Sequence, residues 1–237
     1  MTTTALPDRL PFRLAALDMA GTTVDEGGLV YRVLEQTVAE ATGRPVPTDL
    51  LALWKGTSKR EAVAGLLAAQ GAPTADPDVD KVFAEFSARL VAAYRETPPA
   101  PLPGVPEAIA ELRVRGVKVA LQTGYSAEIA ESILAGLGWT VGSGSDDTVD
   151  AIATSDEVPI SRPAPYLVFR CMERTGVLDV RDVLVAGDTP NDLAAGTHAG
   201  AGHVVGVLTG AFGAAELGRE PHTHLLPSVA GLPSLLG

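Results

Sequence analysis

The feature that most constrains this chain is the stretch from Phe12 to Asp25, FRLAALDMAGTTVD. An unbroken apolar run, Leu14 to Leu17, ends on a carboxylate, Asp18, and is followed by Gly21, Thr22 and Thr23. A strand buried on both faces reads as a continuous apolar run, and such strands belong to parallel sheets covered by helices. In open sheets of that kind the reacting groups lie just beyond the carboxyl ends of the strands. The run therefore predicts a buried parallel strand that carries Asp18 to the chemical rim, where it is a candidate nucleophile toward phosphorus.

The remaining chain divides at two hinges. After Gly27-Gly28 the pattern turns helical: Leu29 to Thr42, a short piece from Pro47 to Trp54, Lys59 to Gln70 with Ser58 as N-cap, and Asp78 to Arg95. The run Thr97 to Gly104, TPPAPLPG, is a stiff linker. Beyond it strands and helices alternate. Helices are expected at 105–115, 126–137, 164–175 and 190–199, and strands at 117–122, near 151–153, at 183–186 and at 203–208. The tail, 222–236, is expected to add a last strand and helix. The predicted fold class is α/β, with a parallel sheet covered on both faces. Residues 1–26 and 98–237 form its core, and 27–97 an all-helical insertion.

Composition narrows the function. With a formal charge of −11 the chain repels polyanions, so nucleic acid is not an expected partner. No apolar run reaches the roughly 18 residues of a membrane span. The lead-in MTTTALPDRLPF lacks the apolar region of a secretion signal. The single Cys171 excludes an internal disulfide framework and fits a reducing, cytoplasmic setting. A monomer or homodimer acting on a small molecule is expected.

Four polar clusters follow apolar strands: Asp18 with Thr22; Thr123-Gly124; Arg162 in Ser161-Arg162-Pro163; and Asp188 with Asp192 in GDTPND. Each alone has a plain structural reading. Asp18 and Thr123-Gly124 fit strand-end turns, Arg162 a surface cation, and Asp188 and Asp192 charges favoured at a helix N-terminus. Together they supply a nucleophilic acid, hydroxyl donors, a cation and a carboxylate pair. Those are the parts phosphoryl transfer needs: in-line attack, cations on the equatorial oxygens, and a hard metal held by oxygen ligands.

At this point the chain resembles the haloacid dehalogenase-like superfamily, whose four signatures are similar, in order, to DMAGTT, LQTGY, SRPAP and GDTPND. The resemblance implies a Rossmann-like core with a helical cap inserted between the first two motifs. It implies that Asp18 is phosphorylated in turnover. It implies Mg²⁺ held by Asp18, the backbone carbonyl of Ala20 and Asp188, with Asp192 in support. Thr22, Thr123, Gly124 and Arg162 are the implied phosphoryl-binding residues. Arg162 stands where many members carry Lys, and its planar fork suits phosphate oxygens.

Ala20 departs from most phosphatases of the superfamily, which place a second Asp there as general acid. Loss of a general acid typically costs about 10²–10⁴ in rate. The phosphonatase branch, that of the phosphonoacetaldehyde hydrolases, shares this Asp-to-Ala pattern, and DMAGTTVD, TGY and the Arg-Pro third motif resemble it. In that branch a cap Lys forms a Schiff base with the substrate aldehyde, so the carbon leaves as an enamine. Lys59, in Gly56-Thr57-Ser58-Lys59, occupies the matching position. The branch's Met before the Gly is Lys55 here, and its His three residues after the Lys is Ala62. Lys55, if close, is expected to lower the Lys59 pKa by like-charge repulsion.

The leading expectation is thus a Mg²⁺-dependent hydrolase of small organophosphonates or organophosphates. A phosphatase of small phosphate monoesters is the first alternative. A metal-independent dehalogenase, a phosphosugar mutase and a non-enzymatic binding protein follow. His222 and His224, Cys171, Trp54 and Trp139 are expected to be structural.

Overall fold

The computed structural model describes residues 10–237, so most of the N-terminal lead-in lies outside the described residues. Strand β1, Leu14–Leu17, lies inside a six-stranded sheet with β4 (Lys118–Gln122) on one side and β6 (Val183–Gly187) on the other. Beyond β4 comes β5 (Ala151–Ala153), and beyond β6 come β7 (His203–Val207) and β8 (His224–Leu226). Every neighbouring pair is parallel.

Side chains alternate across a strand, and the packing of β1 shows why its sequence is apolar at every position. Ala15 and Leu17 join the larger core cluster with Val119, Leu121, Leu184 and Ala186. Leu14 and Ala16 face the opposite cluster with Ala120, Val183 and Val185. Helix α7 (Tyr166–Thr175) covers that second face with Leu167, Val168 and Cys171, which places Cys171 in the core as expected. Helices α5 (Val105–Val114) and α6 (Ala127–Leu137) supply Ile109, Leu112, Ile129 and Ile133 to the first. Helix α8 (Pro190–Ala199) lies over β6 and β7.

Between β1 and α5 the chain forms α1 (Leu29–Thr42), α2 (Thr48–Ala52), α3 (Lys59–Ala69) and α4 (Asp76–Glu96). Helices α1, α3 and α4 pack on one another through Val33, Leu34, Val38, Leu66, Phe86 and Leu90, all buried. Ser58 caps α3 by accepting from the Glu61 amide at 3.3 Å. The two chain crossings into and out of these helices pair as a small antiparallel ribbon, β2 (Val24–Asp25) with β3 (Ala100–Pro101). The sequence pattern gave no sign of this ribbon, because two-residue strands carry no periodicity. The tail forms β8 and then a 3₁₀ segment, Val229–Leu236, with Pro233 inside it, rather than an α-helix. No helix among the described residues is long and apolar enough to cross a membrane.

Candidate active site

The parallel strands end at one rim. A cavity of about 300 Å³ opens there, lined by Asp18, Ala20, Thr123, Gly124, Arg162 and Asp188 from the core and by Lys55 and Lys59 from the helical segment. Six of the core positions singled out in the sequence therefore share one wall.

Asp18 and Asp188 are 5% and 2% exposed, and Asp192 is fully buried behind them. Oxygens of all three lie within 4.8 Å of one another. Such proximity is unfavourable unless compensated, and the compensation is visible. Arg162 Nη1 contacts Asp18 Oδ1 at 2.7 Å and also pairs with Asp192 Oδ1. Asp192 Oδ2 accepts from the Thr189 amide at 3.1 Å and its hydroxyl at 2.5 Å, within a capping box at the start of α8. Its role as a helix N-terminal charge and its place in the acidic cluster are thus one arrangement. Asp188 Oδ1 accepts from Thr22 Oγ1 at 3.1 Å, and Oδ2 from the Ala211 amide at 2.7 Å. Burial, and then the charge of Asp18, push the Asp188 carboxyl up to about 6.

Two of the residues singled out in the sequence have partners within the protein. Thr22 is fully buried and off the cavity wall, with its hydroxyl spent on Asp188, so it braces that carboxylate instead of facing a ligand. Arg162 lies against the carboxylates of Asp18 and Asp192, while its Nε has no partner among the described residues.

The donor set fits a divalent cation. Three buried carboxylates against one guanidinium leave two uncompensated negative charges, and hard carboxylate oxygens are the donors that Mg²⁺ prefers.

The opposite wall is of another kind. Lys59 is the first residue of α3 and only 5% exposed. Its Nζ donates to the Thr57 carbonyl at 3.0 Å and lies 5.2 Å from the Tyr31 ring centre and 5.7 Å from that of Tyr125. Burial, and then the nearby Arg162 guanidinium, hold the Lys59 ammonium down to about 8. Lys55 is not the cause that the sequence suggested; desolvation is, and the positive end of the α3 dipole acts in the same direction. Tyr31, Tyr125 and Tyr94 are all phenols that burial raises well above their ordinary value. The Tyr94 hydroxyl lies 3.0 Å from that of Tyr125 and 3.4 Å from Glu26 Oε2. These tyrosines, Glu26 and the loop Thr209-Gly210-Ala211 were missed in the sequence. Only TGY, which contains Tyr125, and the acids after Val24 gave a usable signal.

The two walls touch through glycine. Gly56 has φ +80°, and a Cβ there would lie 2.3 Å from Thr189 Oγ1. A Cβ on Gly124 would lie 2.3 Å from the Thr57 carbonyl oxygen. Lys59 N donates to the Gly124 carbonyl at 3.2 Å, and Asn191 Nδ2 to the Lys55 carbonyl at 2.8 Å.

The parallel sheet and the buried carboxylates at its rim define a Rossmann-like α/β hydrolase. A profile of the haloacid dehalogenase-like hydrolases matches residues 12–200, and the chain belongs to that family. It is 28% identical over 228 residues to a phosphonoacetaldehyde hydrolase of Bacillus cereus strain B4264, covering 90% of this chain and 81% of that one. To a phosphonoacetaldehyde hydrolase of Parabacteroides distasonis it is 35% identical over 133 residues, 56% of this chain and about half, 48%, of the relative's length. A hydrolase structure from Pseudomonas syringae superposes with a TM-score of 0.78 at 20% identity, covering 94% of this chain and 96% of that one; this likeness concerns the fold.

Proposed function

We propose that the chain is a Mg²⁺-dependent hydrolase of the phosphonatase type, which cleaves a phosphoryl group from a small organophosphonate through a phosphorylated Asp18. The observation that carries this reading is the pairing, across one small cavity, of a buried carboxylate on the core with a buried lysine whose ammonium is held down to about 8. The names of the relatives point the same way.

Residues 27–97 act as a cap over a core of 1–26 and 98–237, with the β2–β3 ribbon as the base on which it turns. Closure brings Gly56 against Thr189 and Gly124 against Thr57, which excludes water from the cavity. Asp18, Asp188 and the Ala20 carbonyl would hold Mg²⁺, with Asp192 in support. The ion's contribution is to neutralise charge that develops on the phosphoryl oxygens. Thr123, the Gly124 amide and Arg162 orient the phosphoryl group.

The neutral Lys59 amine adds to the substrate carbonyl, and loss of water leaves a protonated imine. An Asp18 oxygen then attacks phosphorus in line. The phosphorus–carbon bond breaks, and its electron pair passes into the imine to give an enamine. The enamine carbon takes a proton, and water hydrolyses the imine, releasing the carbonyl product and free Lys59. A second water cleaves the aspartyl phosphate to inorganic phosphate and restores Asp18. This route needs no general acid on the leaving atom, which accounts for Ala at position 20.

Ala62, where the branch has His, favours a second reading, hydrolysis of small phosphate monoesters with acidic leaving groups. Turnover of phosphonoacetaldehyde against a panel of sugar and aryl phosphates, with Mg²⁺ and with EDTA, separates the two. The phosphonatase reading requires the aldehyde to be the better substrate and EDTA to abolish turnover. Full activity in EDTA would instead support metal-free chemistry.

A further inference from the structure

Each carboxylate on the cavity wall has at least one partner within the protein. Asp18 is paired with Arg162, and Asp188 with Thr22 and the Ala211 amide. Asp25 Oδ1 accepts from the Gly27 amide at 2.9 Å. Glu26 accepts from the Gly28 and Val30 amides at 3.0 and 2.8 Å and from the Tyr94 hydroxyl. The two ammonium groups on the opposite wall have no carboxylate partner: among the described residues none lies within ion-pair distance of Lys55 or Lys59.

Lys59 is accounted for by the reading above. Lys55 is not. Its Nζ lies 5.5 Å from the ring centre of Tyr31 and 5.8 Å from that of Phe212, and the residue lines the cavity. Its backbone is fixed. Its carbonyl accepts from Asn191, and the next amide, Gly56 N, donates to the Tyr31 hydroxyl at 3.2 Å. A half-buried, uncompensated cation held in place beside a ligand cavity attracts an anion supplied by the ligand. The phosphoryl group is already addressed from the core side by Arg162, Thr123 and Gly124. The second cation is therefore matched to a second anionic group at the far end of a short molecule.

We infer that Lys55 is a specificity residue for a carboxylate, and that the substrate is a two- or three-carbon phosphonate or phosphate with a carboxylate at the end opposite phosphorus. With Lys59 poised for a carbonyl, the best-matched member of that class is a phosphono-oxo acid, in which the carboxylate stands where a simple aldehyde has hydrogen. The inference rests on the phosphoryl-transfer reading, and the following test separates the two. 3-Phosphonopropionate and its uncharged isostere 3-phosphonopropionamide are titrated calorimetrically into the full chain at saturating Mg²⁺. The expected result is tighter binding of the carboxylate by about tenfold or more in the native protein. The ratio should collapse to within about twofold in Lys55→Met and survive in Lys55→Arg. Equal affinities in the native protein, or a preference that persists in Lys55→Met, overturn the carboxylate assignment and leave the phosphoryl site standing. Failure of the native protein to bind either compound overturns both.

Discussion

The two walls of the cavity are built on opposite principles. On the core side every carboxylate has a fixed partner: Asp18 and Asp192 share Arg162, Asp188 accepts from Thr22 and a backbone amide, and Asp192 accepts again from Thr189. On the cap side Lys55 and Lys59 lie against aromatic faces with no carboxylate partner among the described residues. Saturated networks fix geometry, and unsatisfied charges recognise whatever arrives. The core wall is therefore suited to the invariant part of the reaction, the phosphoryl group, and the cap wall to choosing what departs from it.

The most severe way to break this contrast is Asp18→Asn. Removing the proposed nucleophile should lower turnover on every substrate alike, on the order of 10⁴-fold or more, measured as steady-state kcat. A loss confined to one substrate class would contradict the shared role of the core wall. Lys59→Met sharpens the contrast from the other side. Hydrolysis of an aldehyde phosphonate should fall about 10³-fold, while that of an aryl phosphate should fall within about tenfold. Equal losses would make Lys59 a general anion holder.

Contact between the walls should matter less than either. Gly56→Ala adds a Cβ at positive φ, 2.3 Å from Thr189 Oγ1. Lifting the cap by even about 1 Å should cost roughly 10- to 100-fold in kcat/KM, with KM raised. Asn191→Ala removes the hydrogen bond to the Lys55 carbonyl. A single such bond contributes about 0.5–1.5 kcal/mol, so kcat/KM should drop by no more than about tenfold, with little change in Tm.

What the sequence revealed and what it hid divide along the same line. The apolar strands and the polar residues just past their ends were legible, because burial on both faces forces an uninterrupted apolar run and the chain direction of a parallel sheet brings the strand ends together. Asp18, Thr123, Arg162 and Asp188 were singled out that way, and all four line the one cavity. The arrangement behind them was not legible. Thr22 turning to Asp188, and Arg162 lying between Asp18 and Asp192, depend on contacts between residues as far as 166 positions apart. Tyr31 reads as one more position in a helix, and only tertiary packing brings its ring against two lysines. Lys59 was singled out by resemblance alone; its burial, which lowers its proton affinity, appears only once the helical segment meets Gly124.

The central claim is that Asp18 and Lys59 act on one small substrate from opposite walls. It is tested most directly by borohydride reduction during turnover of phosphonoacetaldehyde, with the modified residue located by peptide mass spectrometry. A reduced two-carbon adduct is predicted on Lys59. Imine formation requires the neutral amine, so the yield should be low near pH 6, rise through about 8 and level off above it. Turnover of the aldehyde with no adduct on Lys59, or with the adduct on another lysine, would contradict the account.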